Sequence, residues 1–131
     1  MDETTREVVA ARAGRACEYC WIREQDDAYS FHLEHVIAIK HGGTTTLDNL
    51  AYACQHCNLH KGPNLSGVDP QSGEVVTLYH PRRDTWALHF AMVEFHIVGL
   101  TLAGRATVRV LAMNDSDRVQ LRQLAGSGRQ S

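Results

Sequence analysis

Four cysteines fall into two C-x-x-C pairs, Cys17 with Cys20 and Cys54 with Cys57. Thiolates at that spacing can converge on one tetrahedral ion. In a reducing compartment, where disulfides are disfavoured, the expected ion is structural zinc. A closed four-sulfur site keeps no position open for water, so that metal would hold a scaffold and take no part in a reaction. The interval between the pairs is longer than in a short zinc ribbon, which requires a folded segment between the two knuckles. Two redox C-x-x-C motifs and buried apolar cysteines are the competing readings.

The interval and its flank read HLEHVIAIKHGGTTTLDNLAYACQHCNLHKG over residues 32–62. This stretch resembles the HNH endonuclease family. The family's pattern runs from an acidic residue or His followed by His, through a Gly-Gly turn and D-N-L, to C-x-x-C-[HN]-x-x-K. The counterparts are Glu34-His35, Gly42-Gly43, Asp48-Asn49-Leu50, and Cys54 to Lys61 by way of Cys57 and Asn58. Cys17 and Cys20 extend the likeness upstream.

The resemblance implies hydrolysis of DNA phosphodiester bonds. Such a reaction needs a nucleophilic water, a stabiliser for phosphoryl charge and help for the departing oxygen. An imidazole titrates close enough to neutrality to take the water's proton, and the resemblance gives His35 that role. It gives Glu34 and Asn58 the ligation of a divalent metal that neutralises the leaving 3′ oxygen. Both offer oxygen donors, which suits Mg²⁺ or Mn²⁺. Asn49 is implied to tie the loop down through backbone hydrogen bonds, since an amide carries both donors and an acceptor. Lys61, His60 and His32 are candidate phosphate contacts. Glu34 stands where Asp or His is commoner, and Asn58 stands where many members have His, a stronger ligand.

The elements that must position these groups follow from pattern. Thr4 and Glu7 form a capping box before VVAARAG, predicting a helix over 5–13 that ends at Gly14. Residues 21–28 read as a loop or short helix. Alternation from Ser30 to His35, continued by Val36 to Ile39, predicts a strand. Consecutive strand residues point to opposite faces, so Glu34 and His35 can share a site only if the chain bends near them. His41-Gly42-Gly43 is a turn, TTLDNL a turn of helix, and Cys57 to Lys61 a helical turn stopped by Gly62 and Pro63. Glu74–Tyr79, Trp86–Phe90 and Glu94–Val98 read as short strands of an antiparallel meander. Thr101 caps a helix to about Ala112, and Asn114 or Asp115 caps another to about Leu124. Residues 126–131 should fray.

The fold class expected is α+β: a zinc-stapled ββα-metal core over 15–62 with an N-terminal helix, then a β meander and C-terminal helices over 74–125. Residues 1–131 are expected to make one HNH nuclease domain, a length that fits a single core. The net charge of −2 gives no global basic signature, so DNA must be met by local groups and a bound cation. Arg82 and Arg83 after Pro81 can track a DNA backbone or sit in a solvated turn. Arg105, Arg109, Arg118 and Arg122 are expected on a solvated helix face. Trp21, Trp86 and Phe90 are expected in the core. Neither a run of eighteen apolar residues nor a secretory signal is present, which points to a cytoplasmic protein without a membrane partner. A zinc-stabilised binding module without catalysis is the alternative from another functional class, and a redox protein is a third.

Overall fold

A computed structural model describes residues 2–126 of the chain. Helix α1 spans Glu3–Arg12 and is capped by the Asp2 carboxylate, which accepts from the Thr5 amide at 2.7 Å. The cap therefore sits two residues before the Thr4 box read from sequence, because a free carboxylate at Asp2 reaches an orphan amide first. Val9 and Ala10 are its buried face. Arg12 reaches across to donate to Leu47 O at 2.9 Å and Leu50 O at 2.7 Å, locking the helix onto the central hairpin. Gly14, at φ +65°, ends the helix in the left-handed conformation.

The first knuckle is closed by Cys17 N bonding Ile22 O at 2.9 Å. A single 3₁₀ turn, Glu24–Asp26, follows. Strand β1 is His32–His35 and β2 is Leu50–Ala53, antiparallel, with His32 opposite Ala53, Glu34 opposite Ala51 and His35 opposite Leu50. The strand is shorter than the predicted run to Ile39. Val36 N still bonds across to Asn49 O at 2.9 Å, but the strand pairing ends at His35, and Ile39–His41 close into a 3₁₀ turn ending at Gly42, φ +89°. A second 3₁₀ turn, Leu47–Asn49, enters β2. Cys54 then caps α2, Gln55–Lys61, through its own sulfur. The order β1, loop, β2, α2 is the ββα unit expected around the second knuckle.

Beyond Gly62 the strands pair as two separate hairpins rather than as one run. Strand β3, Ser66–Val68, pairs with β4, Val75–Thr77; β5, Phe90–Val93, pairs with β6, His96–Gly99. The run read as a strand from Trp86 begins as a helical turn, α3, Trp86–His89, and becomes extended only at Phe90. Thr101 caps α4, Leu102–Val110, through its hydroxyl, and Asp115 precedes α5, Ser116–Ala125. The fraying expected over 126–131 lies outside the described residues from 127 onward.

One buried apolar cluster runs through both halves, joining Tyr19, Ile22, Phe31, Leu50 and Tyr52 with Trp86, Phe90, Ile97, Leu111 and Met113. Trp86 and Phe90 are core residues, as their types suggested, and Trp21 packs edge-on to Trp86 at 5.7 Å. The solvated arginine face is corrected. Arg118 and Arg122 are buried, and Arg105 pairs with the buried Asp69 at 2.8 Å; of the four, Arg109 faces solvent. Helical i, i+4 spacing says that residues share a face, and α5 turns that face inward. Among the described residues no helix is long and apolar enough to cross a membrane.

Candidate active site and metal centre

The four cysteines converge. All are buried, and their sulfurs lie within 4.8 Å of one another. The Cys20–Cys54 separation is 3.7 Å. That is far beyond a disulfide, and it matches the ~3.8 Å edge of a tetrahedron with Zn–S bonds of ~2.3 Å. Amides of Tyr19 and Cys20 point at Cys17 Sγ at 3.4 and 3.5 Å, and the Cys57 amide points at Cys54 Sγ at 3.4 Å. Donors aimed at sulfur favour the thiolate form that a metal requires. Arg118 adds a guanidinium 3.3 Å from Cys54 Sγ, itself anchored on Asp27 at 3.1 Å. The donor set and spacing fit a metal ion such as zinc.

The hairpin delivers Glu34 and His35 to opposite sides. Glu34 is 5 % exposed and faces α2. Its Oε1 accepts from the Tyr19 hydroxyl, and its Oε2 lies 3.7 Å from Lys61 Nζ. Among the described residues Oε2 has no hydrogen-bond partner. Burial pushes the Glu34 carboxyl up to about 7, against the opposing pull of Lys61 and Tyr19. Burial, then the neighbouring carboxylate, pushes the Tyr19 phenol up, which keeps it protonated and donating. Lys61 is 1 % exposed and also donates to Val36 O at 2.7 Å. Asn58 lies on α2 three residues before Lys61 and so shares its helix face.

His35 sits where the hairpin ends, partly exposed, with Nε2 2.9 Å from Thr45 Oγ1. The loop that holds Thr45 is pinned by Asn49. Its Oδ1 accepts from Ile37 N at 2.9 Å, and its Nδ2 donates to Ile37 O at 3.0 Å and Thr44 O at 2.8 Å. Gly43 is required by this closure: a Cβ there would fall 1.7 Å from Ile37 O and 2.9 Å from Asn49 Nδ2. His32, on the same strand, is partly buried. His60 is exposed and stands with His56 and Asp115, one ligand atom from each within 4.8 Å of the others.

Several residues around the site carry no motif. Tyr19 lies inside the first C-x-x-C, where its hydroxyl gives no sequence signal of a partner fifteen positions away. Thr45 is one of three consecutive threonines. Arg82 pairs with Glu18, which also accepts from Tyr52 N at 2.8 Å, whereas Arg83 is exposed. A cavity of about 300 Å³ is lined by Val36, Lys61, His80 and Arg83 among others, and an adjoining one of about 210 Å³ by Thr44, Asn49 and Arg83 among others. Ile37 and Arg83 border both, so the two openings meet beside the pinned loop.

Residues 17–64 match the model of the HNH endonuclease family. The chain is also 30 % identical over 114 residues to the Septu protein PtuB of Bacillus thuringiensis. That match takes in 85 % of this chain and 42 % of the relative, so the chain spans less than half the relative's length. Coverage of that extent necessarily continues past residue 64, into the hairpins and helices of the second half. No solved structure matches. The two cysteine knuckles, the hairpin carrying Glu34-His35, the loop pinned by Asn49 and the short helix α2 all lie within the matched segment, and over residues 17–64 this chain is an HNH-family domain.

Proposed function

We propose that the chain is a metal-dependent endonuclease that hydrolyses DNA phosphodiester bonds, residues 1–131 acting as one nuclease domain. The observation that carries this reading is the tripod at Asn49. Its three backbone bonds hold the loop that sets Thr45 against His35, at the open end of a hairpin packed on α2. With Nε2–H donating to Thr45, the His35 ring presents a lone pair on Nδ1 that takes the proton of the attacking water. Glu34 and Asn58 are the residues that would hold Mg²⁺ or Mn²⁺. The buried Oε2 of Glu34, in ion-pair range of Lys61 but without a hydrogen-bond partner among the described residues, fits a cation ligand. The ion, when bound, neutralises charge on the leaving 3′ oxygen. Lys61 holds the Glu34 carboxylate and the exit of β1. Arg83, exposed at the meeting of the two openings, engages the DNA backbone, with His32 as a further phosphate contact. The cysteine cluster binds zinc as a scaffold ion.

Two observations favour a second reading, a zinc-stabilised nucleic-acid-binding module without catalysis: Glu34 and His35 lie in regular register on opposite sides of β1, and the Glu34 carboxylate is already engaged by Tyr19 and faces a buried lysine. Plasmid nicking with added Mg²⁺ or Mn²⁺ separates the two. Wild-type protein should nick, and His35→Ala should lose activity at least about 100-fold while still binding DNA. Equal cutting by both removes His35 as the base. DNA retention without nicking by wild type in either metal selects the second reading.

A further inference from the structure

Helix α2 carries two imidazoles one turn apart: His56, which the nuclease chemistry above leaves unused, and His60, a candidate phosphate contact by resemblance that the structure turns toward His56. Their rings pack against each other at a tilt, with centroids 4.1 Å apart and 33° between planes. Asp115 brings a carboxylate from the residue before α5, and one ligand atom from each of the three lies within 4.8 Å of the others. The hydrogen bonds around the rings decide which nitrogens are free. His56 Nε2 is 2.8 Å from Ala112 O, and His60 Nδ1 is 2.8 Å from His56 O. A carbonyl oxygen can only accept, so both of these nitrogens carry protons. The lone pairs are then on His56 Nδ1 and His60 Nε2. Imidazoles that ligate metals are held in this way, with the second ring nitrogen donating to a carbonyl or carboxylate that fixes tautomer and orientation.

Asp115 supplies an independent sign. An Asp at a helix N-cap ordinarily accepts from an amide of the first turn. Asp115 does not: among the described residues its side chain makes no capping bond, which leaves the carboxylate available to a ligand.

We propose that His56, His60 and Asp115 form a second metal site, on the surface and separate from the cysteine cluster, for a late first-row divalent cation of the zinc class. Two imidazoles and one carboxylate are a borderline donor set that suits such ions, whereas Mg²⁺ and Ca²⁺ prefer oxygen alone. Ligands bound at ~2.0–2.1 Å in a tetrahedron sit about 3.4 Å apart, so the three must draw together slightly. His60 and Asp115 are exposed and can do so without disturbing the core. Three protein ligands leave an open position for water. The ion would tie α2, which also carries Cys57 and Asn58, to the connection between α4 and α5. The site is a clip between the HNH segment and the second half of the chain.

The test uses the full chain with the cysteine cluster filled with zinc and excess Mg²⁺ present to occupy any all-oxygen site. Titration calorimetry with Zn²⁺ should show one further equivalent bound by wild type, with a rise in Tm. His60→Ala and Asp115→Asn should keep the first zinc by elemental analysis and weaken the second at least about tenfold. Asn58→Ala should retain the second equivalent, which keeps this result independent of the nuclease proposal. The idea fails if wild type takes up no second ion, or if His60→Ala binds it as tightly as wild type. It fails equally if Asn58→Ala loses it while His60→Ala does not.

Discussion

Replacing Asn49 by Ala removes three hydrogen bonds to backbone at once and leaves Ile37 N–H, Ile37 O and Thr44 O without their partner. A net bond of this kind contributes roughly 0.5–1.5 kcal/mol, and a buried group left unmatched lies at the upper end. With Asn49 6 % exposed, the sum should be about 3 kcal/mol of unfolding free energy. Asn49→Asp is the sharper probe. It keeps an acceptor for Ile37 N–H but turns a second oxygen toward two carbonyls, so two attractive contacts become repulsive and a charge is buried. Its loss should equal or exceed that of the alanine variant. Urea denaturation of zinc-loaded protein measures both, with zinc content checked to separate loop release from knuckle loss. If the loop positions His35, cleavage should also fall about 100-fold, the scale expected for a small misplacement of a reacting group. A stability change under about 1 kcal/mol for Asn49→Ala, or an Asn49→Asp variant as stable as wild type, refutes the tripod as the element that holds the loop.

Stability should depend on pH through Glu34. A carboxyl raised from 4.5 to about 7 binds protons more tightly in the folded state, so stability is highest below pH 4.5 and falls as pH rises to 7. The change across that window is on the order of 3 kcal/mol. Denaturation curves from pH 5 to 8 should slope downward for wild type and flatten for Glu34→Gln; parallel curves would show that Glu34 does not titrate in the interior. Arg118→Met should leave the four cysteines in place but speed zinc transfer to a chelator by about 10–100-fold, because it removes the cation 3.3 Å from Cys54 Sγ. An unchanged transfer rate would assign Arg118 to packing alone.

What was legible in the sequence were the parts whose physics is local. Paired C-x-x-C spacing, Gly42-Gly43 and the hydroxyl of Thr101 each state a backbone or ligand requirement within a few residues, and each element formed where it was read. The misplaced elements turned on competition between neighbours. Asp2 caps the Thr5 amide and starts the helix before Thr4, and the strand stops after His35 because Asn49, bonded to Val36, turns its side chain to Ile37 and Thr44 and closes the loop. Trp86 to Phe90 is rich in aromatic and apolar types, but Trp86 Nε1 donates to Tyr19 O at 2.9 Å, and a helical turn accompanies that anchoring. Least legible were long-range polar pairs. Nothing near Arg118 announces Asp27, ninety-one positions earlier, and nothing near Tyr19 announces Glu34.

Those pairs bear on what the second half of the chain does. A hairpin of two four-residue strands and a seven-residue helix bury little apolar surface by themselves, and a metal cluster fixes only the ends of the two knuckles. Further restraints arrive from α1, through Arg12 on Leu47 O and Leu50 O, and from beyond residue 64. Trp86 bonds the backbone at Tyr19, Arg82 pairs with Glu18, Arg118 reaches both Cys54 and Asp27, and Ala112 accepts from His56. Apart from Asp27, each lands on a residue beside a cysteine or on a cysteine itself. Tyr19 in turn donates to Glu34, so a chain of direct bonds runs from Trp86 through the first knuckle to the buried Glu34 carboxylate. The second half is thus part of the scaffold that sets Glu34, and a change there should be felt at the site through Tyr19 before it is felt through the zinc.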